Sequence, residues 1–160
     1  MQLSDNLELA EVIRSATAKR NGISNMPTPE HIENFKKLAQ NVFQPIRDHF
    51  NRAIFLSSGY RSAELNKITK GASSTSQHCS GEAIDIDMDG TEITNKQVFD
   101  YIKEHLQFDQ LIAEFPVNGN PAWVHVSYES TGKQRKQILV AKKNGKATKY
   151  ITYKSDDDLK

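Results

Sequence analysis

The sequence predicts an α+β domain whose helices come first and pack on a mainly antiparallel sheet that follows. Three observations carry this expectation. Apolar residues recur at helical spacing across residues 1–50, short apolar and polar alternations recur from Ala83 onward, and a polar stretch separates the two regions. A chain of 160 residues, 37% of them hydrophobic, is large enough for one domain with a continuous core.

The first helix is expected over Leu7 to Thr17, capped by Ser4 and Asp5 and closed by Gly22, with Leu9, Val12, Ile13 and Ala16 on one face. Pro27 and Pro29 then introduce a longer helix, Glu30 to Phe50. Its apolar stripe comprises Ile32, Phe35, Leu38, Ala39, Val42, Phe43 and Ile46. Pro45 falls inside that pattern and should kink or end it near the last turn. A short strand is expected at Ile54 to Leu56. Ser57 to Ser80 is rich in Gly, Ser, Thr and Asn, reads as a long polar loop with a short helix at Ala63 to Ile68, and is the kind of segment that carries function.

Ala83 to Met88 reads as a strand and Asn95 to Leu106 as a helix. Phe108 to Phe115 and Ala122 to Tyr128 read as a hairpin joined by Pro116 to Pro121. Ile138 to Ala141 and Lys149 to Tyr153 are expected as final strands around a Lys-Asn-Gly-Lys turn, with residues 155–160 as a frayed tail.

Charge and composition exclude several functions. Lys plus Arg total 21 against 20 for Asp plus Glu, which lacks the basic excess of a phosphate-backbone binder, so no nucleic-acid partner is expected. The single cysteine, Cys79, excludes an intramolecular disulfide and reads as structural. The opening MQLSDNLELAEVI has acidic residues where a signal peptide needs a basic region and an apolar run, so none is expected. No run approaches the roughly 18 apolar residues of a membrane span. These features place synthesis in the cytoplasm.

Chemistry concentrates in two segments. Between Ser76 and Asp87 the chain sets His78 in a loop, Gly81 at a turn and Asp85 within a strand, where Ala83, Asp85 and Asp87 share one face and Ile84, Ile86 and Met88 the other. In Trp123-Val124-His125-Val126-Ser127, residues 123, 125 and 127 face one way and the valines the other. Each segment displays polar groups from a strand whose opposite face is core. Two histidines and one aspartate leave a zinc position open for water, the geometry of a catalytic site, and suit zinc better than calcium or magnesium. Blander readings exist. A lone strand histidine such as His125 is more often a core or rim residue, and Asp85, Asp87, Asp89 and Gly90 resemble the start of a calcium loop. That loop needs a glutamate where this chain has Lys96. His31, His49 and His105 lie in helical segments and read as surface or packing residues.

At these residues the chain resembles the zinc D-Ala-D-Ala carboxypeptidase family, which includes vancomycin-resistance dipeptidases and phage L-Ala-D-Glu endopeptidases; it looks closest to the phage-type branch. The resemblance rests on Ser58-Gly59-Tyr60-Arg61-Ser62, on Ser76-Gln77-His78 with Gly81, Ala83 and Asp85, and on Trp123 to Ser127. It extends more weakly through the N-terminal helices and Arg135-Lys136-Gln137. It implies the fold shared by Hedgehog and DD-peptidase domains, one Zn2+ held by His78, Asp85 and His125, and a substrate of peptidoglycan peptides. It also implies that Arg61 binds substrate and steadies the oxyanion, a role worth ~3 kcal/mol, with Ser76, Tyr60 and Trp123 as further substrate contacts. A loop-anchoring salt bridge is the alternative for Arg61.

The chain departs from the family at Ala122, three residues before the last histidine, where many relatives carry the catalytic acid. With Pro116 to Pro121 as the hairpin loop, Glu114 pairs opposite Trp123 and faces the same side as His125, which makes it the expected general base. Glu82 and Asp109 are the fallbacks, Glu82 being expected to point away from Asp85. On this reading residues 1–50 form a helical part and 51–154 a metal-binding part of a single zinc peptidase domain, with a phage lysis enzyme or a virion component as expected settings. Two rivals are a zinc-containing wall-binding or structural module without turnover, which Ala122 would explain, and a calcium-stabilised wall-binding domain, which Lys96 opposes.

Overall fold

In the computed structural model, which describes residues 1–160, the N-terminal segment departs from the expected helix. Strands β1 (Gln2–Ser4) and β2 (Leu7–Glu8) pair antiparallel, so that Leu3 and Leu7 are both buried. Helix α1 (Leu9–Ile13) starts only there, its entry fixed by Glu8 N–H donating to Glu11 Oε2 at 2.9 Å. Neither Ser4 nor Asp5 caps it. The backbone straightens at Arg14, and Ser15 caps a separate α2 (Ala16–Asn21) by accepting from the Ala18 N–H at 3.1 Å. Local capping groups thus split the periodic stretch in two. Gly22 closes it as expected, with φ +63°.

The long apolar stripe forms α3 (Pro29–Leu38), a π-helical turn (Ala39–Phe43) and α4 (Gln44–Phe50). Pro45 neither ends nor breaks this run. The Gln44 N–H bonds five residues back to the Ala39 carbonyl, and the wider turn absorbs the proline, which has no N–H to offer. Phe35, Leu38, Ala39, Val42, Phe43 and Ile46 are buried along one side.

The next strand, β3 (Leu56–Ser58), begins at the last residue of the expected one, because Ile54 is buried in the core before it. Helix α5 (Ala63–Ile68) and a 3-10 turn (Gln77–Ser80) follow, then β4 (Ala83–Ile86). Strand β4 is shorter than expected because the Met88 N–H is taken by Asn95 Oδ1 at 2.8 Å, which draws the chain toward α6 (Asn95–His105). Strands β5 (Gln110–Glu114) and β6 (Trp123–Ser127) form the expected hairpin. The final hairpin, β7 (Gln137–Asn144) and β8 (Ala147–Thr152), is longer than expected and runs up to Gly145.

The six strands order as β3-β4-β6-β5-β7-β8, antiparallel except for the parallel pair β5 and β7. One sheet face is apolar. Ile84, Ile86, Leu111, Ala113, Val124, Val126 and Val140 join Phe35, Val42, Phe43, Phe99 and Ile102 in a cluster of 26 buried residues, so helices and sheet share one core. The tail is not frayed. Residues Asp156–Leu159 form a 3-10 turn capped by Ser155, Leu159 is fully buried, and its carbonyl accepts from the Gly119 N–H at 3.1 Å. An apolar residue one position from the end supplied the burial energy that the charged composition concealed.

Candidate metal centre

Because pairing is in register, the face opposite the core carries ordered rows of side chains. Asp85 pairs with His125, which pairs with Ile112; one row along, Trp123 pairs with Glu114. These residues line a cleft of about 710 Å³, with Arg61, Ser76 and His78 on one side and Leu139, Thr148 and Tyr150 on the other.

His78 comes from the 3-10 turn rather than the sheet, and two glycines let that turn sit close. A Cβ at Gly59 would collide with the Val12 backbone, and one at Gly81 with the His31 carbonyl and the Phe35 ring. Gly81 also has φ +76°, which favours glycine. The turn is fastened by Ser76 Oγ, which accepts from the His78 N–H at 3.3 Å, and by the Arg61 N–H donating to the His78 carbonyl at 3.1 Å. His78 Nδ1 donates to the Gly59 carbonyl at 2.6 Å. A carbonyl only accepts, so Nδ1 carries the proton and Nε2 presents its lone pair to the cleft.

Three donors converge. Asp85 Oδ1 lies 3.3 Å from His78 Nε2 and 3.0 Å from His125 Nδ1, and the ligand atoms of the three residues lie within 4.8 Å of one another. Zinc bonds of about 2.0–2.1 Å at tetrahedral angles set ligand atoms roughly 3.3 Å apart, so the two distances to Asp85 and the donor set fit that ion. Both histidines are buried. Burial alone would raise the Asp85 carboxyl, but the facing His78 imidazole and the hydrogen bond with His125 outweigh it and hold the group well below the usual carboxylate range.

The family model described as Peptidase M15 matches residues 5–127, more than half the chain and a span that includes Arg61, His78, Asp85, Glu114 and His125. This chain belongs to the peptidase M15 family. No curated protein matches it. M15 peptidases are zinc-dependent metallopeptidases, the α+β architecture agrees with that family, and the His78, Asp85 and His125 cluster offers donors for a metal ion.

The other expected site residues divide. Glu114 lines the cleft of this M15 chain, is only 8% exposed, and takes no hydrogen bond from the protein. Burial pushes its carboxyl up to about 7, with His125 drawing it down and the Asp85 charge raising it. Arg61 also lines the cleft but makes no salt bridge. It donates to Asn66 Oδ1 at 3.2 Å, Ser58 Oγ at 3.4 Å and Ser76 Oγ at 3.1 Å, so Ser76 serves to aim it. Trp123 lines the cleft beside Phe115, their rings 5.5 Å apart. Tyr60 is not brought to the cleft. It is buried against Phe35 with its hydroxyl 3.2 Å from His31 Nδ1, which also makes His31 a packing residue.

The fallback acids are occupied elsewhere. Glu82 accepts from the Ser130 N–H at 2.9 Å and the Ser80 hydroxyl at 2.8 Å, pointing away as expected. Asp109 is buried, and both its oxygens accept from the Arg135 guanidinium, at 3.0 and 2.8 Å, with Gln77 Nε2 at 3.0 Å. Burial opposes its ionisation, but these bonds hold the carboxyl below its ordinary range. Sequence reasoning missed this Asp109 and Arg135 anchor, and it missed Tyr150 on the far wall. The alternation Thr148, Tyr150, Thr152 was the available signal for the latter.

Proposed function

We propose that the chain is a zinc-dependent peptidase that hydrolyses amide bonds in bacterial peptidoglycan stem peptides, either at a D-Ala-D-Ala end or between L-Ala and D-Glu. The observation that carries this reading is the convergence of His78, Asp85 and His125 beside a buried, unpartnered Glu114 in one open cleft. The wall-peptide substrate is supported by the resemblance at Ser58 to Ser62, Ser76 to His78 and Trp123 to Ser127. His78, Asp85 and His125 would hold one zinc ion, which would supply the Lewis acidity that activates water and polarises a carbonyl. Glu114, buried in the cleft and without a protein partner, takes the proton from the attacking water and hands it to the leaving amine. Arg61, aimed by Ser76, steadies the oxyanion from the opposite side. Trp123 offers an apolar rim for substrate.

On this reading Glu114, paired with Trp123 across the hairpin, stands in for the carboxylate missing from position 122. The rival reading, a zinc-containing wall-binding or structural module without turnover, has Ala122 as its best support. We further propose that it acts at the bacterial wall, in phage lysis, as a virion component or as a host-encoded enzyme. Digestion of purified peptidoglycan with the zinc-loaded protein, followed by mass spectrometry, tests the reading. New amino termini in stem peptides are expected. Zinc bound at full occupancy with no new termini on any wall peptide would overturn it in favour of the binding module.

A further inference from the structure

The β7–β8 hairpin lies beyond the residues matched by the family model, yet it builds one wall of the cleft through Gln137, Leu139, Thr148 and Tyr150. Tyr150 is singled out by register. Glu114 pairs with Ala141 on β7, and Ala141 pairs with Tyr150 on β8, so Trp123, Glu114, Ala141 and Tyr150 form one row across four strands. Neighbouring strands are about 4.8 Å apart, which puts the Tyr150 and Glu114 backbones roughly 10 Å from each other. The buried methyl of Ala141 between them leaves that span open to a phenol.

Tyr150 differs from the other tyrosines whose roles are set by the fold. The Tyr153 hydroxyl accepts from Lys103 Nζ and donates to Asp156 Oδ1, and Tyr60 meets His31. Tyr150 is 52% exposed and its hydroxyl has no partner in the chain. Burial, then the charges of Glu114 and Asp85, push the phenol up, so it stays protonated and can donate. Although Tyr150 stands four strands from Asp85, it lines the same cleft as Asp85 and Glu114.

We propose that Tyr150 is a substrate-binding residue whose hydroxyl donates a hydrogen bond to the leaving-group half of the scissile peptide. The direction follows from order across the cleft and rests on the function proposed above. Arg61 and Asp85 lie toward β3 and β4, Glu114 lies beyond His125 on β5, and the amine that Glu114 protonates departs toward β7 and β8, where Tyr150 stands.

The test uses the zinc-loaded Glu114→Gln protein, which holds substrate without cutting it, and the fluorescence of Trp123, the only tryptophan, as the reporter. Soluble stem peptides released from purified peptidoglycan by a glycosidase serve as the probe. Adding Tyr150→Phe should weaken their binding roughly 10-fold, the scale of one lost hydrogen bond, with zinc content and melting temperature unchanged. In the otherwise wild-type enzyme the same change should raise KM by a similar factor and leave kcat nearly constant, because the bond is made before and during reaction alike. Unchanged peptide affinity and KM in Tyr150→Phe would overturn this inference alone. Failure of the parent protein to bind or cut any stem peptide would overturn the proposed function and this inference with it.

Discussion

Glu114 stands directly opposite Trp123 across the β5–β6 hairpin, one diagonal step from His125 and on the same sheet face. A one-residue slip would have turned its carboxylate into the core. In this register the carboxylate is buried, without a protein partner, and pushed up to about 7 from an ordinary 4.5.

That position has a cost in the zinc-free protein. Below about pH 4.5 Glu114 is protonated in both folded and unfolded chains. Between 4.5 and 7 the unfolded chain ionises first and binds fewer protons than the folded one, so the Glu114 contribution to stability falls as pH rises. Glutamine cannot ionise. Zinc-free Glu114→Gln should therefore gain on wild type by up to about 3 kcal/mol between pH 4.5 and pH 8, read by urea unfolding at the two pH values. A difference that stays constant across that range would show that the carboxylate is not desolvated.

His78→Ala, Asp85→Ala and His125→Ala should each strip the bound zinc, measured by metal analysis of the purified proteins. Because the ion would tie the His78 turn to β4 and β6, chelation should also lower the melting temperature of the wild type. Undiminished zinc in any of the three variants would remove that residue from the ligand set.

Gly81→Ala should destabilise the fold by more than about 1 kcal/mol, since its φ is positive and the new Cβ meets the backbone of α3. The zinc affinity should fall with it, because the His78 turn must move. Calorimetric unfolding and a zinc titration of the same sample check both parts; normal values for both would mean that the turn has slack the geometry does not show.

Leu159→Ala should cost about 2–5 kcal/mol despite its place beside the C-terminal residue, because it is fully buried behind the cleft hairpin. Denaturant unfolding measures it. A loss within experimental error would put the tail back among solvated ends.

Alternation makes most of the sheet legible in the sequence. In Trp123 to Ser127 and Ala83 to Ile86, valine and isoleucine on one face left His125 and Asp85 only the other, and the length of the Pro116 to Pro121 loop set the register of Glu114. The N-terminal helix was misread because capping at Glu8 and Ser15 is a local competition that apolar periodicity does not record. Pro45 was misread because a π-helical turn has no composition of its own. Tyr60 shares a motif with Arg61, yet adjacent residues there point to opposite environments, one to Phe35 and one to the cleft. The pairing of Asp109 with Arg135 joins positions far apart in the chain, and nothing local announces it.

The central claim, a zinc peptidase in which Glu114 moves the proton, is tested most directly by turnover on purified peptidoglycan for zinc-loaded wild type, Glu114→Gln, Glu82→Gln and Asp109→Asn, with new amino termini counted and zinc measured in each sample. Glu114→Gln should keep its zinc and lose roughly 100-fold or more in rate, the usual scale for a general base, while Glu82→Gln and Asp109→Asn lose much less. Full turnover by zinc-loaded Glu114→Gln would contradict the account.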